Sequence, residues 1–384
     1  MPAIPVNTDY SVQALTSKDI RRLEFFFMNI SILYCLIQIS KGMKSRTILS
    51  MSLLFVSLSF CTAQDPHFSQ FFEAPLLRNP SLAGLFDGDF RFQTVYRNQW
   101  GSVTVPYQTA SINAQYKMPI GKGDDFITTG LQIMYDRAGT TNFTTSNLYP
   151  AVNYHKSLNG DKTKYLSLGV MGGYVQRRID RTKITTNNQF DGGGHNPSLD
   201  IGETLTTFSY DYLDASIGAS FNSSIAGSET DFYFLGAAYH HFNRPINSFY
   251  RNPPIELNPK FVMSGGVRFG IADNAYLTIQ GDHSMQGEYS ETIAGATYTY
   301  KILDEFGDQA YAISFGGYMR WKDAVIPVVK IDYNPFSIAF SYDANISQLR
   351  TASQTRGGFE VSLVFNQFFD RDNSTKNAIR CPKF

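Results

Sequence analysis

The chain has 384 residues and no net charge, because 33 basic side chains balance 33 acidic ones. This balance argues against a nucleic-acid-binding protein, which carries a basic surface. The mean hydropathy of −0.21 excludes a bundle of membrane-spanning helices, since each such helix needs about 20 consecutive apolar residues. With 31 Phe, 23 Tyr and 30 Gly, the composition suits β-strands with aromatic girdles.

A secretory signal peptide is predicted at residues 43–63. It has a basic start, Met43-Lys44-Ser45-Arg46, then an apolar stretch at 47–60, and small residues before the cleavage site. We predict cleavage between Ala63 and Gln64. The mature chain would therefore be exported.

Two features of this region have alternative interpretations. Cys61 could carry a lipid, but bulky Phe60 stands where a lipoprotein needs a small residue. Residues 1–42 precede a complete signal peptide with its own Met, so we interpret them as an over-extended reading frame. The alternative is a membrane anchor at 23–40, which polar residues interrupt. Removal of residues 1–63 leaves Cys381 as the one cysteine, which predicts no internal disulfide.

Residues 64–89 contain several prolines and show no periodicity. We interpret them as an ordered periplasmic lead-in, for which a position tucked into the fold that follows is left open. Residues 368–384 are predicted to form a periplasmic C-terminal tail. The folded domain is then predicted at 90–367.

Alternating apolar and polar residues predict β-strands throughout this domain, because successive side chains of a strand point to opposite faces. The clearest strands are 90–100 and 107–119. The first has an outward face, Phe90, Phe92, Thr94 and Tyr96, and an inward face, Arg91, Gln93, Val95, Arg97 and Gln99.

Twelve further strands are predicted, which makes fourteen. An even count is typical of a closed bacterial membrane barrel. Their predicted bounds are 125–136, 144–156, 163–178, 210–222, 230–243, 260–271, 275–286, 289–302, 309–321, 324–334, 336–346 and 357–367.

The alternation alone leaves a soluble barrel or sandwich open, with the apolar faces inward. The connections favour a transmembrane antiparallel β-barrel. Connections after even-numbered strands are short and rich in turn residues. Those after odd-numbered strands include the three longest, 179–209, 244–259 and 347–356, although two odd connections are also short. Because short turns follow even-numbered strands and the longest loops follow odd-numbered ones, the two kinds of connection are predicted at opposite ends of the barrel. The short turns and both termini are predicted to be periplasmic, and the long loops extracellular.

Several separated motifs resemble the PorP/SprF family of the type IX secretion system and gliding machinery. They are QDPHFSQFFEAPLLRNPSLAG at 64–84, YRNQW at 96–100, FNRPINSF at 242–249, DAVIPVVKIDY at 323–333, SYDANIS at 341–347 and RGGFEVSL at 356–363. The resemblance implies an integral outer-membrane barrel. It also implies a role in the export or surface attachment of particular large adhesins that carry a C-terminal sorting domain.

No motif predicts catalysis or a bound cofactor. The sequence has no HExxH, no Gly-x-Ser-x-Gly, no P-loop and no CxxC pair. Asp191, His195 and Asp200 are a weak metal candidate in a polar glycine-rich loop, and we predict no metal site. Ser284 follows His283 in sequence and does not face it, so a barrel hydrolase is disfavoured.

Binding is the more favoured activity. Arg244, Phe249, Tyr250 and Arg251 form an aromatic and basic loop, and such residues are typical interface anchors. The alternative is that Phe249 and Tyr250 fold back to plug the lumen mouth. Arg350, in the polar loop 348–358, is a second candidate. His240 and His241 are expected to point to opposite faces of their strand.

The two ends of the barrel must meet. If 90–100 pairs with 357–367, Arg97 lies opposite Phe359 or Glu360, depending on the register. Facing residues share a face, so the register that pairs Arg97 with Glu360 is expected. Asp343, on the polar face of the neighbouring strand, should lie close to them in the lumen.

The sequence therefore predicts a non-enzymatic barrel of the cell outer membrane. Its expected partners are a secreted adhesin with a C-terminal sorting domain, other type IX secretion components and outer-membrane lipid, and not nucleic acid. The alternative is a diffusion channel for small or hydrophobic solutes. A channel needs a continuous path through the lumen, whereas a partner-binding barrel tolerates a plug.

Overall fold

The computed structural model describes residues 65–369 except 102–103, 121–123, 161–162, 203–206, 229, 250–254, 304–308 and 349. The predicted signal peptide, its cleavage site and Cys381 lie outside the described residues.

Fourteen antiparallel strands close into one barrel, in which each strand pairs with its sequence neighbours and β1 pairs with β14. The strands are β1 (Phe90–Gln99), β2 (Tyr107–Pro119), β3 (Phe126–Ala138), β4 (Phe143–Ser157), β5 (Lys164–Arg178), β6 (Ser209–Ser224), β7 (Phe232–His240), β8 (Lys260–Ala272), β9 (Ala275–Gln286), β10 (Tyr289–Leu303), β11 (Gln309–Arg320), β12 (Ala324–Tyr333), β13 (Phe336–Asn345) and β14 (Arg356–Gln367). The predicted fold and strand number are confirmed. The largest error in a boundary is at the end of β7, which was expected at residue 243.

Within the described residues, helical structure consists of six short turns: Phe71–Glu73, Pro75–Arg78, Pro80–Leu82, Arg181–Lys183, Asn187–Gln189 and Arg350–Ser353. Across the described ranges, no helix has the length and apolarity to cross a membrane.

The outer surface of the barrel is apolar and its interior is polar. In β13, Phe340 is 51% exposed while Ser341 and Asp343 are buried. In β14, Phe359 is exposed while Glu360 is buried. A soluble barrel would have the opposite arrangement, so this is a membrane barrel with an apolar face toward lipid.

The two ends of the barrel differ in their connections. Two-residue turns join β8 to β9 and β12 to β13, and a long loop of residues 179–208 joins β5 to β6 at the opposite end. Outer-membrane barrels have their short turns in the periplasm and their long loops outside. We call these the periplasmic end and the outer end.

Residues 65–89 lie inside the barrel, and we call them the plug. The Asn153 side chain donates hydrogen bonds to the carbonyls of Ser81 (2.7 Å) and Ala83 (2.8 Å). The Gln115 side chain accepts one from the Gly84 amide (2.8 Å). The predicted periplasmic lead-in is therefore tucked into the barrel, the position that the sequence leaves open.

The plug runs down the lumen from the outer half to the periplasmic end. Near its start, Phe68 packs in a buried cluster with Met134, in the outer half of β3. Further along, Leu82 and Leu85 pack against Phe126 and Tyr165, at the periplasmic ends of β3 and β5. The chain then continues directly into β1.

A glycine on β5 lets the plug lie directly against the barrel wall. A Cβ atom added to Gly169 would lie 2.4 Å from the Pro80 carbonyl carbon and 2.5 Å from the Ser81 nitrogen. No side chain larger than hydrogen fits between them, so the plug backbone touches the sheet here. Beside this point, the Asn79 amide donates hydrogen bonds to the carbonyls of Ala219 (3.3 Å) and Ala237 (3.1 Å).

We expect Gly169→Val to displace the plug while the barrel remains closed. The added side chain meets plug backbone, and overpacking of this kind typically costs ~1–3 kcal/mol. Hydrogen-exchange mass spectrometry should show faster exchange of the plug amides around Ser81. Gly317→Val is the control, because Gly317 is an exposed strand glycine whose added Cβ would make only an ordinary 3.7 Å contact. Equal protection in both variants would contradict the prediction.

Candidate functional site

The seam between β1 and β14 is held by a cluster of buried charges. Arg97 lies opposite Glu360 in the register of the two strands, as expected from the requirement that facing residues share a face. The Arg97 guanidinium is 3.2 Å from a Glu360 carboxylate oxygen and 3.0 Å from Asp343 Oδ2. All three side chains are buried inside the barrel.

A second arginine, which is not among the residues predicted from the sequence, completes this cluster. Arg320, at the end of β11, places Nη2 2.6 Å from Asp343 Oδ2. Asp343 therefore lies between two guanidinium groups. Alternation along β11 puts Arg320 on the inward face with Ser314 and Tyr318, and this was the signal available in the sequence.

The same carboxylates bind the start of the plug. Glu360 accepts hydrogen bonds from the backbone amides of Ser69 and Gln70, both at 2.7 Å. Asp343 accepts one from the Ser69 hydroxyl at 2.8 Å, and Arg97 donates to the His67 carbonyl. The seam charges thus close the barrel and hold its plug at once.

The plug also contributes charges of its own. Glu73 pairs with Arg91 of β1 (2.9 Å) and Lys330 of β12 (2.6 Å). Arg78 binds Asp282 of β9 through two nitrogens, at 2.7 and 2.6 Å. Glu73 and Arg78 are buried, and removing one partner of a buried pair leaves an unpaired charge that destabilises the structure. The plug is therefore fixed by ion pairs to several strands.

The first described residue is anchored by a histidine between two carboxylates. The Nε2 atom of His241 is 2.7 Å from Asp65, and its Nδ1 atom is 2.8 Å from Asp214. Burial opposes protonation of His241, but Asp65 and Asp214 outweigh it and raise its pKa to about 10. The imidazolium form therefore links the plug to β6.

The expected opposite orientation of His240 and His241 is wrong. β7 ends at His240, and His241 has a φ of +55°. This left-handed conformation turns the second ring inward as well, and both side chains are buried. His240 contacts the Ser216 hydroxyl (3.0 Å) and the Arg78 carbonyl of the plug (3.1 Å).

The predicted partner-binding residues do not form one surface. Arg244 is exposed, and Phe249 packs against Tyr210 with ring centroids 4.7 Å apart. Arg350 is exposed in the loop between β13 and β14, about half the barrel circumference away in the strand order. Tyr250 and Arg251 lie outside the described residues. The structure thus offers two separate outer patches.

The glycine-rich loop between β5 and β6 is organised by its own hydrogen bonds. The Asp191 carboxylate accepts one from the Gly193 amide (3.1 Å) and one from the Asn196 side chain (3.2 Å). In the part of the chain that the structure describes, no group of three His, Cys, Asp or Glu side chains could hold a metal ion.

The family described as "Type IX secretion system membrane protein PorP/SprF" matches residues 60–365. The chain belongs to this family. With its closed barrel, polar interior and apolar exterior, this PorP/SprF protein is located in the outer membrane. Membership also implies association with other secretion components.

No curated protein matches the chain. Solved structures share its fold at low similarity. The translocator domain of autotransporter NalP from Neisseria meningitidis is 10% identical, with a TM-score of 0.38 over 72% of this chain and 87% of that chain. The toluene transporter TbuX from Ralstonia pickettii is 9% identical, with a TM-score of 0.45 over 77% of this chain and 94% of that chain. A Pseudomonas aeruginosa FadL homologue is 10% identical, with a TM-score of 0.43 over 77% of this chain and 94% of that chain.

Glu360→Gln should loosen the start of the plug. An amide has one acceptor oxygen, so the variant cannot accept hydrogen bonds from both Ser69 and Gln70 in the present geometry. A buried donor without a partner costs ~1–3 kcal/mol, and we expect about tenfold faster exchange of these two amides. Hydrogen-exchange mass spectrometry measures this. Glu288→Gln, in the exposed turn between β9 and β10, is the matched control, and equal exchange in both variants would be evidence against the anchoring role.

The His241 anchor should weaken at high pH. Its folded pKa is raised from 6.5 to about 10, so its contribution is complete below pH 6.5 and is lost as the pH rises toward 10. We expect the Tm difference between the wild type and His241→Gln to shrink between these pH values. A difference that stays constant with pH would contradict this assignment.

Proposed function

We propose that this PorP/SprF protein is a non-enzymatic accessory barrel that helps to export or anchor one particular adhesin with a C-terminal sorting domain. Family membership supports a role in secretion. The plugged lumen supports a role in binding, because a filled barrel can hold a partner without offering a path to solutes.

The contacts of the plug carry this proposal. They reach strands on both halves of the barrel: β1 and β12 through Glu73, β9 through Arg78, β14 through the amides of Ser69 and Gln70, and β4 through the carbonyls of Ser81 and Ala83. The plug is therefore attached to the folded barrel at several points along its length. Such a barrel is a rigid platform, and its loops are the parts left to engage a partner.

We place adhesin contacts on the two outer patches. One contains Arg244 and Phe249, with Tyr250 and Arg251 next in the chain, and the other contains Arg350. Arg244 and Arg350 are exposed, and arginine and aromatic residues are enriched at binding interfaces. Two patches on opposite sides of the mouth suit a partner that covers the barrel opening.

A diffusion channel is the second candidate, and one observation favours it. Much of the plug is bound through ion pairs and hydrogen bonds, which water can replace if the plug shifts. Liposome swelling by the purified protein tests this: uptake of small sugars through the wild type would favour the channel, and swelling only after plug displacement by Gly169→Val would favour the platform.

Deleting the gene should remove one or a few adhesins from the cell surface while other type IX cargo is still secreted. The reason is that an accessory barrel serves its own client, whereas the translocon serves all cargo. Comparison of surface and culture-medium proteomes measures this. Loss of all cargo would instead indicate a core translocon component, and an unchanged surface would favour the channel.

A further inference from the structure

At the outer end of the barrel, β6 extends past the end of the strand beside it. The pairing of β6 with β7 stops at Ser216 and His240, whereas its pairing with β5 continues to Ser209. Residues 209–215 therefore have β5 on one side and, within the described residues, no strand on the other. A strand edge of this kind presents backbone groups that can pair with another chain.

A turn after β7 directs the chain away from this edge. His241 adopts a left-handed φ of +55°, and its ring bonds Asp65 and Asp214 inside the lumen. Asn247, farther along the loop, accepts a hydrogen bond from the Tyr210 hydroxyl at 2.6 Å. Tyr210 is on the inward face of β6, in the same alternation as buried Asp214. The loop therefore passes on the lumen side and does not continue β7 alongside β6.

One side chain of the loop takes the place of the next strand residue. The Asn243 amide donates a hydrogen bond to the Leu213 carbonyl at 2.7 Å and accepts one from the Ala215 amide at 3.1 Å. These are the bonds that a backbone peptide group would make if β7 were longer. Beyond Asn243, no described residue bonds to this edge of β6, so the pairing stops at the Leu213 carbonyl.

Three backbone groups farther out are left without partners. In β6 the odd-numbered residues direct their N–H and C=O groups to this side, as Ala215 does, because these directions alternate along an antiparallel strand. The amide of Leu213 and both backbone groups of Asp211 therefore face the open side, and among the described residues none of the three has a hydrogen-bond partner. Leu213 also has the most exposed large apolar side chain of the described residues, at 70%. The edge thus offers two donors, an acceptor and an apolar side chain.

This edge lies at the top of the apolar outer surface. Leu213 faces Tyr174 of β5, while the next outward residue, Asp211, faces Gln176. Asp211 and Gln176 are both exposed and polar, which places them above the lipid-facing belt. The open groups are therefore accessible from the aqueous side of the outer membrane.

We propose that the β6 edge at 209–213 binds an extended segment of another polypeptide, which adds to the sheet in line with β7. Strand addition of this kind uses main-chain hydrogen bonds for affinity, and the amide of Leu213 and the two backbone groups of Asp211 supply them. A second barrel is a poorer fit than a single segment, because β7 and β8 continue the wall directly below the edge and keep the strands of another barrel away. The inference concerns the way in which a chain is bound and does not depend on the adhesin proposal.

The test is a fluorescence anisotropy titration of the full-length protein in non-ionic detergent. The probe is a labelled peptide of alternating threonine and valine with a lysine at each end, and its fully N-methylated form, which has no backbone donors, is the comparison. We expect the unmethylated peptide to bind more tightly. Leu213→Pro removes the edge amide and leaves the ladder with β5 intact, because this amide points away from β5. In this variant the Kd should rise about tenfold, which corresponds to ~1.4 kcal/mol.

Leu213→Ala is the matched control, since it shortens the same side chain and keeps the amide. It should raise the Kd less than Leu213→Pro does. Asp211→Pro removes the next edge amide and serves if Leu213→Pro does not fold. The proposal would be overturned if the unmethylated peptide binds no more tightly than the N-methylated one, or if Leu213→Ala weakens binding as much as the proline variant. A dimer of the wild type that Leu213→Pro dissociates, as measured by light scattering, would assign the edge to a second copy of the chain and also overturn it.

Discussion

The pairing of β1 with β14 is the constraint on which the rest of the structure depends. No covalent link joins these strands to each other across the seam, and an open edge in a membrane leaves backbone groups without partners. Arg97 and Glu360 face each other there, with Asp343 and Arg320 beside them. Because these charges are buried, the cluster is stable only when every member has a partner. The barrel therefore closes and these buried charges find their partners in the same step.

The plug follows from the same requirement. A lumen lined with carboxylates, guanidinium groups and amides must be filled with water or with polar chain. Glu360 receives the backbone amides of Ser69 and Gln70, and Asn153 donates to the carbonyls of Ser81 and Ala83. The plug needs these side chains as much as they need it, because its backbone joins the ladder of the wall at its last residue, Asp89, which bonds to Gln367 and Lys117.

The alternation of apolar and polar residues predicts the strands, because successive side chains of a strand point in turn toward the lipid and toward the lumen. The same reasoning yields the pairing of Arg97 with Glu360, since facing residues share a face. It does not predict the plug, whose residues have no period and whose partners are up to 291 positions away. It misplaces His241, because a local left-handed turn ends the strand. It also does not reveal the open edge of β6, because alternation identifies the face of a residue and not its neighbours on other strands.

The position of the plug in the chain has a consequence for biogenesis. The plug precedes β1, while its partners Glu360 and Asp343 belong to the last two strands. The amides of Ser69 and Gln70 have their acceptor only when β14 is in place, because Glu360 belongs to that strand. The edge of β1 is paired at the same point. The barrel is then sealed as it is formed, since the segment that fills it is already attached to the first strand. If the plug is in the lumen when β1 and β14 pair, closure of the barrel creates no open pore through the outer membrane.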